Sequence, residues 1–232
     1  MDKENIETRT RLLETAALVF AEHGFATATI RMIAGRARVN VAAVNYHFGS
    51  KDGLYREVLR HVRSLAYERY PTTYGLNAEA APEKRLHAYV RSFLLRAIGE
   101  ESVPGFGVLM MREMVEPTSA LDMIVDEGIR SLFDQLVEIV RILMGEETAG
   151  ELVLACARST ISQCVFYLFG RSVISRMDPE RKFDRGDIEK IAAQITTFTL
   201  HGLQGMAADK VGGGCPPEKI KNGGKRGKII KI

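Results

Sequence analysis

The sequence predicts an all-α protein that has a small N-terminal domain of three helices and a larger C-terminal helical bundle. Apolar residues recur at helical spacing in most segments, and no stretch alternates apolar and polar residues as a strand would. With 46% hydrophobic and 26% charged residues, the composition is that of a globular protein. Proline and glycine clusters mark the expected helix ends and divide the chain. We predict a first domain over residues 1–50, a connecting helix and linker over 51–82, a second domain over 83–209, and a disordered basic tail over 210–232.

The first domain is predicted to hold an opening amphipathic helix over residues 5–23, followed by two short helices. Thr29 and Asn40 are residues that cap helix N-termini, because their side-chain oxygens accept hydrogen bonds from the unpaired N–H groups of the first turn. The first short helix follows Thr29, and the second runs from Asn40 to about Phe48. Arg38 lies in the turn between them. Two short capped helices joined by a tight turn form a helix-turn-helix.

The second short helix has the residues that a helix in the major groove of DNA needs. Its outward positions carry small side chains, which let the backbone approach, and Asn, Tyr and His, which reach bases or phosphates. Ser50 then caps a fourth helix, and Lys51 lies at its N-terminus, where the helix dipole and the ammonium both favour a phosphate. The predicted DNA contacts are Thr29, Arg31, Arg38, Asn40, Val41, Ala42, Ala43, Asn45, Tyr46, His47 and Lys51.

The charges are segregated along the chain in a way that fits this prediction. Basic side chains outnumber acidic ones by 11 to 8 over residues 1–70, whereas acidic ones prevail by 20 to 14 over residues 71–209. Residues 210–232 hold 7 basic side chains and 1 acidic one. A basic head on an acidic body orients a molecule on a polyanion. A solvated helical face would explain the small excess in the head equally well.

Residues 8–59 resemble the TetR family of bacterial one-component regulators. The positions that match the family pattern are Ala16-Ala17, Val19-Phe20, Gly24-Phe25, Thr29, Ile33-Ala34, His47-Phe48 and Ser50-Lys51 with Leu54. The chain departs from the pattern at Arg38, where the family usually has Gly, and at Asn45, where many members have Tyr. The segments VNYHFGSK and LMMREMVEP are similar to the CerR/CecR-type subgroup. The resemblance implies a cytoplasmic, ligand-responsive repressor that binds a palindromic operator as a homodimer and responds to a small-molecule effector, with no cofactor.

Five further helices are predicted in the second domain. They cover residues 83–100, 106–116, 119–144, 148–176 and 187–209. The last two are apolar on broad faces, and a monomer of this size has few ways to bury them, which predicts a dimer interface. The positions assigned to that interface on the last helix are Ile188, Ile191, Ala192, Ile195, Phe198, Gly202, Leu203 and Met206. A purely intramolecular core is the alternative.

A ligand pocket is expected among the Met, aromatic and polar residues of the second domain. Met and aromatic side chains fill and reshape cavities, and a few polar groups orient a ligand. The predicted ligand-binding residues are Phe93, Met110, Glu113, Met114, Phe133, Gln163 and Tyr167. Each of the apolar ones has plain core packing as its alternative, and solvated helix surface is the alternative for the charge.

Other functional classes find little support in the sequence. The five histidines show no metal-ligand spacing, and no nucleophile motif or phosphate loop occurs, so we expect no catalytic or metal site. Cys156 and Cys164 are interpreted as reduced packing thiols, with a redox sensor on one helix face as the alternative. We expect no transmembrane helix and no signal peptide. The remaining alternative is a membrane- or RNA-associated protein that uses the basic residues 210–232, although these residues by themselves indicate only nonspecific affinity for polyanions.

Overall fold

The computed structural model describes residues 3–77 and 79–208, and in this part of the chain the regular elements are all helices. The fold is the all-α, two-part arrangement that the sequence predicts. The helices are α1 (Lys3–Thr27), α2 (Ile30–Ala37), α3 (Val41–Phe48), α4 (Lys51–Arg69), α5 (Pro82–Ala97), α6 (Phe106–Val115), α7 (Leu121–Ile124), a π-helical turn (Val125–Ile129), α8 (Arg130–Met144), α9 (Gly150–Met177) and α10 (Arg185–Ala208). Residues 210–232, predicted as a tail, lie outside the described residues.

The N-terminal domain packs α1 against α2, α3 and α4 around one apolar core. Its central side chains, which include Phe20, Ile33, Val44 and Leu54, are fully buried. The helical path of α1 is interrupted at Gly24 (φ 75°, ψ 165°), a conformation that glycine adopts at little cost. A bend here turns the chain toward α2. Its position agrees with the prediction that the opening helix ends at residue 23.

The C-terminal domain is a bundle of α5, α8, α9 and α10 with its own core. Leu86 of α5, Leu136 of α8, Val153 of α9 and Ile188 of α10 meet in this core and are fully buried. The core of the bundle is therefore built from apolar residues of all four helices.

The segment from Val103 to Ile124 contributes to the N-terminal core, although the sequence analysis assigned it to the second domain. Val103, Phe106, Leu109 and Ile124 are buried together with residues of α1 and α4. The helix α6 carries apolar residues on two faces, so it packs on both domains at once. The two domains are thus joined by the packing of α6 as well as by the covalent connection through α4.

The helix predicted over residues 119–144 is interrupted. The helix α7 ends at Ile124, the turn Val125–Ile129 is π-helical, and α8 starts at Arg130, whose N–H donates to the carbonyl of Val125. Gly128 lies in this turn, and a Cβ there would come within 2.8 Å of Nη1 of Arg63 on α4. The periodicity of apolar residues does not reveal the π-helical turn, because the amino-acid composition does not change at the turn.

The helix α9 is long and apolar enough to meet the length and composition of a membrane-crossing helix. Its most apolar 18-residue window has a mean hydropathy of 1.5, and 28% of that window is buried within the subunit. The sequence itself contains no run of 18 apolar residues and predicts no transmembrane helix. Core helices of proteins that stay in water pass the same test, and the exposed apolar side of α9 is described below.

Candidate nucleic-acid interface and ligand cavity

The helix α3 is held by its inward residues and presents the rest of its surface to solvent. Val44 is fully buried and Phe48 is 9% exposed, whereas Tyr46 is 78% exposed. The side chain of Asn40 accepts from the N–H of Ala42 at 2.9 Å, so it caps the helix as predicted. Val41, Ala42 and Asn45 are exposed, and Ala43 and His47 are half-buried.

The turn before α3 is formed by Arg38 in the left-handed conformation (φ 55°, ψ 47°). Its N–H donates to the carbonyl of Gly35 at 3.2 Å, and the N–H of Val39 donates to Ala34 at 3.0 Å. These two bonds satisfy carbonyls at the end of α2 and offset the cost of a positive φ in a residue with a Cβ. An arginine therefore makes the turn in which the resembled family usually has glycine, and its side chain is exposed.

Arg31 and Arg38 are two exposed cations in the segment that precedes α3. Neither forms an ion pair with another residue among those that the structure describes, whereas Arg36 is paired with Glu22 at 2.6 Å. Thr29 caps α2 by accepting from the N–H of Met32 at 3.2 Å. Of these three arginines before α3, Arg31 and Arg38 are therefore the ones without an ion pair in the described part of the chain.

Lys51 has partners inside the protein. Its Nζ donates to the carbonyl of Ala26 at 3.1 Å and lies 4.6 Å from the centre of the Phe25 ring. Ser50 caps α4, as predicted, by accepting from the N–H of Gly53 at 3.0 Å. An ammonium has three donors, so one hydrogen bond to Ala26 leaves donors for a phosphate.

A cavity of about 240 Å³ lies between α5, α6, α8 and α9, and its walls are mostly apolar. Five of the seven predicted ligand-binding residues line it: Phe93, Met110, Glu113, Met114 and Phe133. The other wall residues, which the sequence analysis did not assign to a pocket, are Tyr67, Tyr89, Arg96, Ala97, Phe106, Gly107, Leu121, Ile124, Ile129, Leu132, Ile161, Val165 and Leu168.

Gln163 and Tyr167 lie outside the walls of this cavity. The amide of Gln163 donates to Oγ1 of Thr199 at 3.2 Å and so joins α9 to α10. The ring of Tyr167 packs edge-on against Phe166 at 5.9 Å. Their i, i+4 spacing places them on one helix face, and on that face Gln163 contacts α10 instead of the cavity.

Arg96 is the buried cation of the cavity, and the sequence analysis missed it. Its side chain is 2% exposed, and Nη1 donates to the carbonyl of Tyr70 and, at 3.1 Å, to Oγ of Ser92. The guanidinium carbon lies 4.2 Å from the centre of the Tyr67 ring. A sequence signal was present, because Arg96 follows Tyr89 and Phe93 at helical spacing and so shares the apolar face of α5.

Glu113 is 1% exposed and holds α6 to α4. It accepts from the hydroxyl of Tyr55 at 2.8 Å, from the N–H of Thr118 at 3.1 Å and from Oγ1 of Thr118 at 3.0 Å. Burial, and then the hydrogen bond to Glu113, raise the pKa of Tyr55, so its hydroxyl stays a donor. The carboxylate is thus satisfied by partners on both sides of the domain boundary.

Arg112, the residue before Glu113, connects α6 to the end of α1. Its Nε donates to the carbonyl of Ala21 at 3.2 Å and its Nη2 to the carbonyl of Glu22 at 3.4 Å. A Cβ at Gly24 would lie 2.9 Å from Nη1 of Arg112, so the bend in α1 accommodates the guanidinium. One side of α6 lines the cavity and the other contacts the N-terminal domain.

The π-helical turn makes a second contact between the cavity and α4. Ile129 lines the cavity, while Glu127 accepts from Nε of Arg60 at 3.0 Å and from Nη2 of Arg63 at 3.4 Å. Arg60 also pairs with Glu57 at 2.9 Å. The side chains of these ion pairs are partly exposed, so the pairs position the turn and add little to stability.

The helices α9 and α10 expose a row of large apolar side chains. Their exposed fractions range from 42% to 81%, and the residues are Phe166, Phe169, Val173 and Met177 on α9 and Phe198 and Met206 on α10. Gly202 and Gly205 share the face of Phe198, and a Cβ at either position would meet open space. Scattered exposed apolar residues are ordinary, whereas several large ones at helical spacing on neighbouring helices are a feature typical of interaction surfaces.

Most of the positions that the sequence analysis placed on the dimer face of α10 lie in the subunit core instead. Ile188, Ile191, Ala192, Ile195 and Leu203 are at most 4% exposed and pack in the bundle. The helix has two apolar faces, and the periodicity does not say which one meets α5 and α8. Phe198, Gly202 and Met206 remain exposed, as the predicted interface requires.

The cysteines on α9 have the environment of packing thiols. Cys156 and Cys164 are buried, and burial raises the pKa of Cys164 to about 12. A thiol with a raised pKa is a poor nucleophile. This argues against the redox-sensor alternative for these two residues; Cys215 lies outside the described residues.

Comparison with known proteins gives matches along most of the chain. Residues 12–58 match the family described as bacterial regulatory proteins, tetR family, and residues 82–203 match the C-terminal domain of the HTH-type transcriptional dual regulator CecR. CecR of Shigella flexneri is 24% identical over 212 residues, which are 87% of this chain and 93% of the relative. The regulator BetI of Paraburkholderia phymatum is 28% identical over 155 residues, or 66% of this chain and 74% of the relative.

Solved structures share the fold over most of their length. AibR, crystallised in complex with isovaleryl coenzyme A and operator DNA, aligns with a TM-score of 0.62 and 18% identity over 82% of this chain and 97% of its own. A putative transcriptional regulator from Pseudomonas aeruginosa aligns with a TM-score of 0.63 and 20% identity, covering 87% of this chain and 93% of its own. The described helices therefore have the arrangement seen in these regulators.

Proposed function

Since this chain belongs to the TetR family of transcriptional regulators and carries the CecR-type C-terminal domain, we propose that it binds a palindromic operator as a homodimer and that a small molecule in the cavity controls this binding. The family membership supports a repressor in the cytoplasm of a bacterium. The observation that carries the proposal is the exposed, capped helix α3.

The reading surface consists of α3 and the two unpaired arginines beside it. Ala42 and Ala43 allow the backbone of α3 to approach the floor of the major groove, and Asn45 has the amide geometry that pairs with adenine. Arg31, Arg38 and the remaining donors of Lys51 contact phosphates on either side. Thr29, Asn40, Val41, Tyr46 and His47 complete the contact surface at the ends and flanks of α3.

Two copies of the chain bring two such surfaces together. The exposed apolar row on α9 and α10 pairs with the same row of a second copy, because a twofold interface is self-complementary. The small residues Gly202 and Gly205 let the paired helices approach closely. A twofold dimer would present its two α3 helices about 34–36 Å apart, which is one turn of duplex DNA.

The effector acts through the contacts that α6 and the π-helical turn make with the N-terminal domain. A ligand shifts an equilibrium only if it binds one arrangement better than the other. In the cavity it would touch Met110 and Met114 of α6 and Ile129 of the turn. Movement of these elements reaches α1 through Arg112 and α4 through Glu113 and Glu127, which changes the spacing of the two α3 helices.

The test is a DNA titration with the purified full chain. A pool of random duplexes retained by the protein is sequenced first, and the best duplex is then titrated at several salt concentrations. Asn45→Ala should weaken binding by about 1–3 kcal/mol and relax the preference at one position of each half-site. Lys51→Ala should weaken all duplexes alike and reduce the salt dependence by about one phosphate contact per subunit.

Two results would contradict the proposal. One is a retained pool without a palindromic sequence, and the other is unchanged affinity in both variants. A chain shortened at residue 209 serves as the control for the basic residues 210–232. It should keep its sequence preference, whereas binding that depends on those residues alone would be lost.

A further inference from the structure

The cavity contains a buried guanidinium whose described partners are all neutral. Arg96 is 2% exposed, and its hydrogen bonds go to a backbone carbonyl and to the hydroxyl of Ser92. Burial lowers the pKa of the Arg96 guanidinium, and the neighbouring side chains of Tyr67 and Tyr89 raise it. Among the residues that the structure describes, no carboxylate forms an ion pair with Arg96.

An unpaired charge in an apolar environment is costly, and proteins usually avoid it by pairing the charge or exposing it. An arginine has no third option, because it stays protonated at any physiological pH. The face of the Tyr67 ring at 4.2 Å and the two neutral acceptors offset part of the cost. Both of these hydrogen bonds come from Nη1, and Tyr67 takes part in a third, so donors remain among the five N–H groups of the guanidinium for a ligand.

We propose that the cavity binds a small apolar carboxylate whose charged group pairs with Arg96 and whose hydrocarbon part lies against Phe93, Phe133 and Met110. This inference rests on the proposed function, because it names the chemical class of the effector. A carboxylate matches a guanidinium in a planar, two-pronged geometry.

The second charged residue of the cavity argues for an anion as well. Glu113 already accepts hydrogen bonds from Tyr55 and from both donors of Thr118. It is therefore satisfied without a ligand, and a cationic ligand would meet the unpaired Arg96. A phosphate ester with two negative charges would find only one guanidinium and would lie near Glu113. A ligand with a single negative charge therefore suits a cavity that contains both Arg96 and Glu113.

The size and the walls of the cavity restrict the rest of the ligand. At about 240 Å³ the cavity is smaller than the roughly 300–1,000 Å³ of sites for drug-sized ligands. Its walls are aromatic, aliphatic and Met side chains, so the body of the ligand is apolar and compact. Met110 and the half-exposed Met114 can change rotamer to admit somewhat larger ligands.

The experiment compares carboxylates with their primary amides, which have nearly the same shape and no charge. Octanoate and octanamide, and 3-phenylpropionate and 3-phenylpropanamide, are titrated into the full-length protein by calorimetry. At least one carboxylate should bind 10- to 100-fold more tightly than its amide, on the order expected for a charge-assisted hydrogen-bonded pair. Equal binding of carboxylate and amide, or no binding of any of the four probes, would overturn the proposal.

Variants at two arginines of α5 assign the preference to the cavity. Arg96→Met removes the charge at similar volume and should abolish the preference for the carboxylate, while Arg96→Lys keeps the charge and should retain part of it. Arg85→Met is the matched control, because Arg85 is outside the cavity and pairs with Glu138 at 3.0 Å. A preference that survives Arg96→Met, or disappears in Arg85→Met, contradicts the assignment to Arg96.

A DNA titration of the parent protein separates this inference from the proposed function. Operator binding together with no carboxylate preference leaves the proposed function intact and removes the effector class. A carboxylate preference in a protein that selects no DNA sequence supports the ligand class and contradicts the proposed function. Melting of Arg96→Met checks its fold, and it should unfold at or above the parent temperature, because an unpaired buried charge has been removed.

Discussion

The hydrogen bond between Tyr55 and Glu113 is expected to contribute measurably to the stability of the contact between the two domains. The two side chains are 2% and 1% exposed, and their oxygens are 2.8 Å apart. A hydrogen bond to a charged group contributes about 1.5–3 kcal/mol. Tyr55→Phe removes the donor without opening a cavity and leaves the carboxylate with Thr118 alone. We expect a loss of about 2 kcal/mol, or a melting temperature lower by about 4–8 °C at this chain length.

The assay is chemical and thermal unfolding of a double-mutant cycle. The single variants Tyr55→Phe and Glu113→Gln are compared with the double variant, and the part of their effects that does not add measures the coupling. Tyr89→Phe is the comparison for a neutral bond, because the Tyr89 hydroxyl donates to the carbonyl of Leu132 at 3.1 Å. That variant should cost only about 0.5–1.5 kcal/mol.

The reasoning would be refuted by a small coupling. If Tyr55→Phe melts within about 1 °C of the parent, or if the coupling falls below about 0.5 kcal/mol, the pair does not stabilise the attachment of α6 to α4. The route from the cavity to α4 would then have to pass through Glu127 and the π-helical turn.

Two other predictions concern the subunit interface and the pH dependence of stability. Phe198→Glu places a charge on a side chain that is 69% exposed in the subunit, so sedimentation should show folded monomers, while Ile6→Glu, at 51% exposed on α1, should leave the dimer intact. His61 has a buried Nε2 without a hydrogen-bond partner in the described chain, and burial lowers its pKa. Its stabilising contribution is therefore present above the unfolded pKa of about 6.5 and is lost as the pH falls through the folded value, so His61→Leu should flatten the decline in melting temperature between about pH 7 and pH 5.

The parts of the fold that depend on local sequence were predictable. Thr29 caps α2, Asn40 caps α3 and Ser50 caps α4. Each side chain accepts a hydrogen bond from a backbone N–H two or three residues away. Such contacts depend on neighbours in the chain, so residue type and spacing are sufficient to predict them. The same holds for the inward positions Val44 and Phe48 of α3.

The parts that depend on distant contacts were not predictable in the same way. The role of Ile195 on α10 was misassigned, because two apolar faces compete and only the position of α5 decides which is buried. Arg96 was missed, because an arginine is exposed in most helices and its burial follows from the packing of α6 and α9 around it. The π-helical turn brings Gly128 against the guanidinium of Arg63, a contact with a residue that is far away in sequence.

The separation of the apolar row on α9 and α10 from the helix α3 has a genetic consequence. In the proposed dimer, a copy with a damaged α3 would keep its row and still pair with an intact copy, and the resulting mixed dimer would engage one half-site of an operator instead of two. Alleles that damage α3 would therefore interfere with an intact allele in the same cell. Alleles that remove α9 and α10 would give copies without the proposed interface, and an intact allele would mask them. The position of a lesion along the chain would thus decide whether it is dominant or recessive.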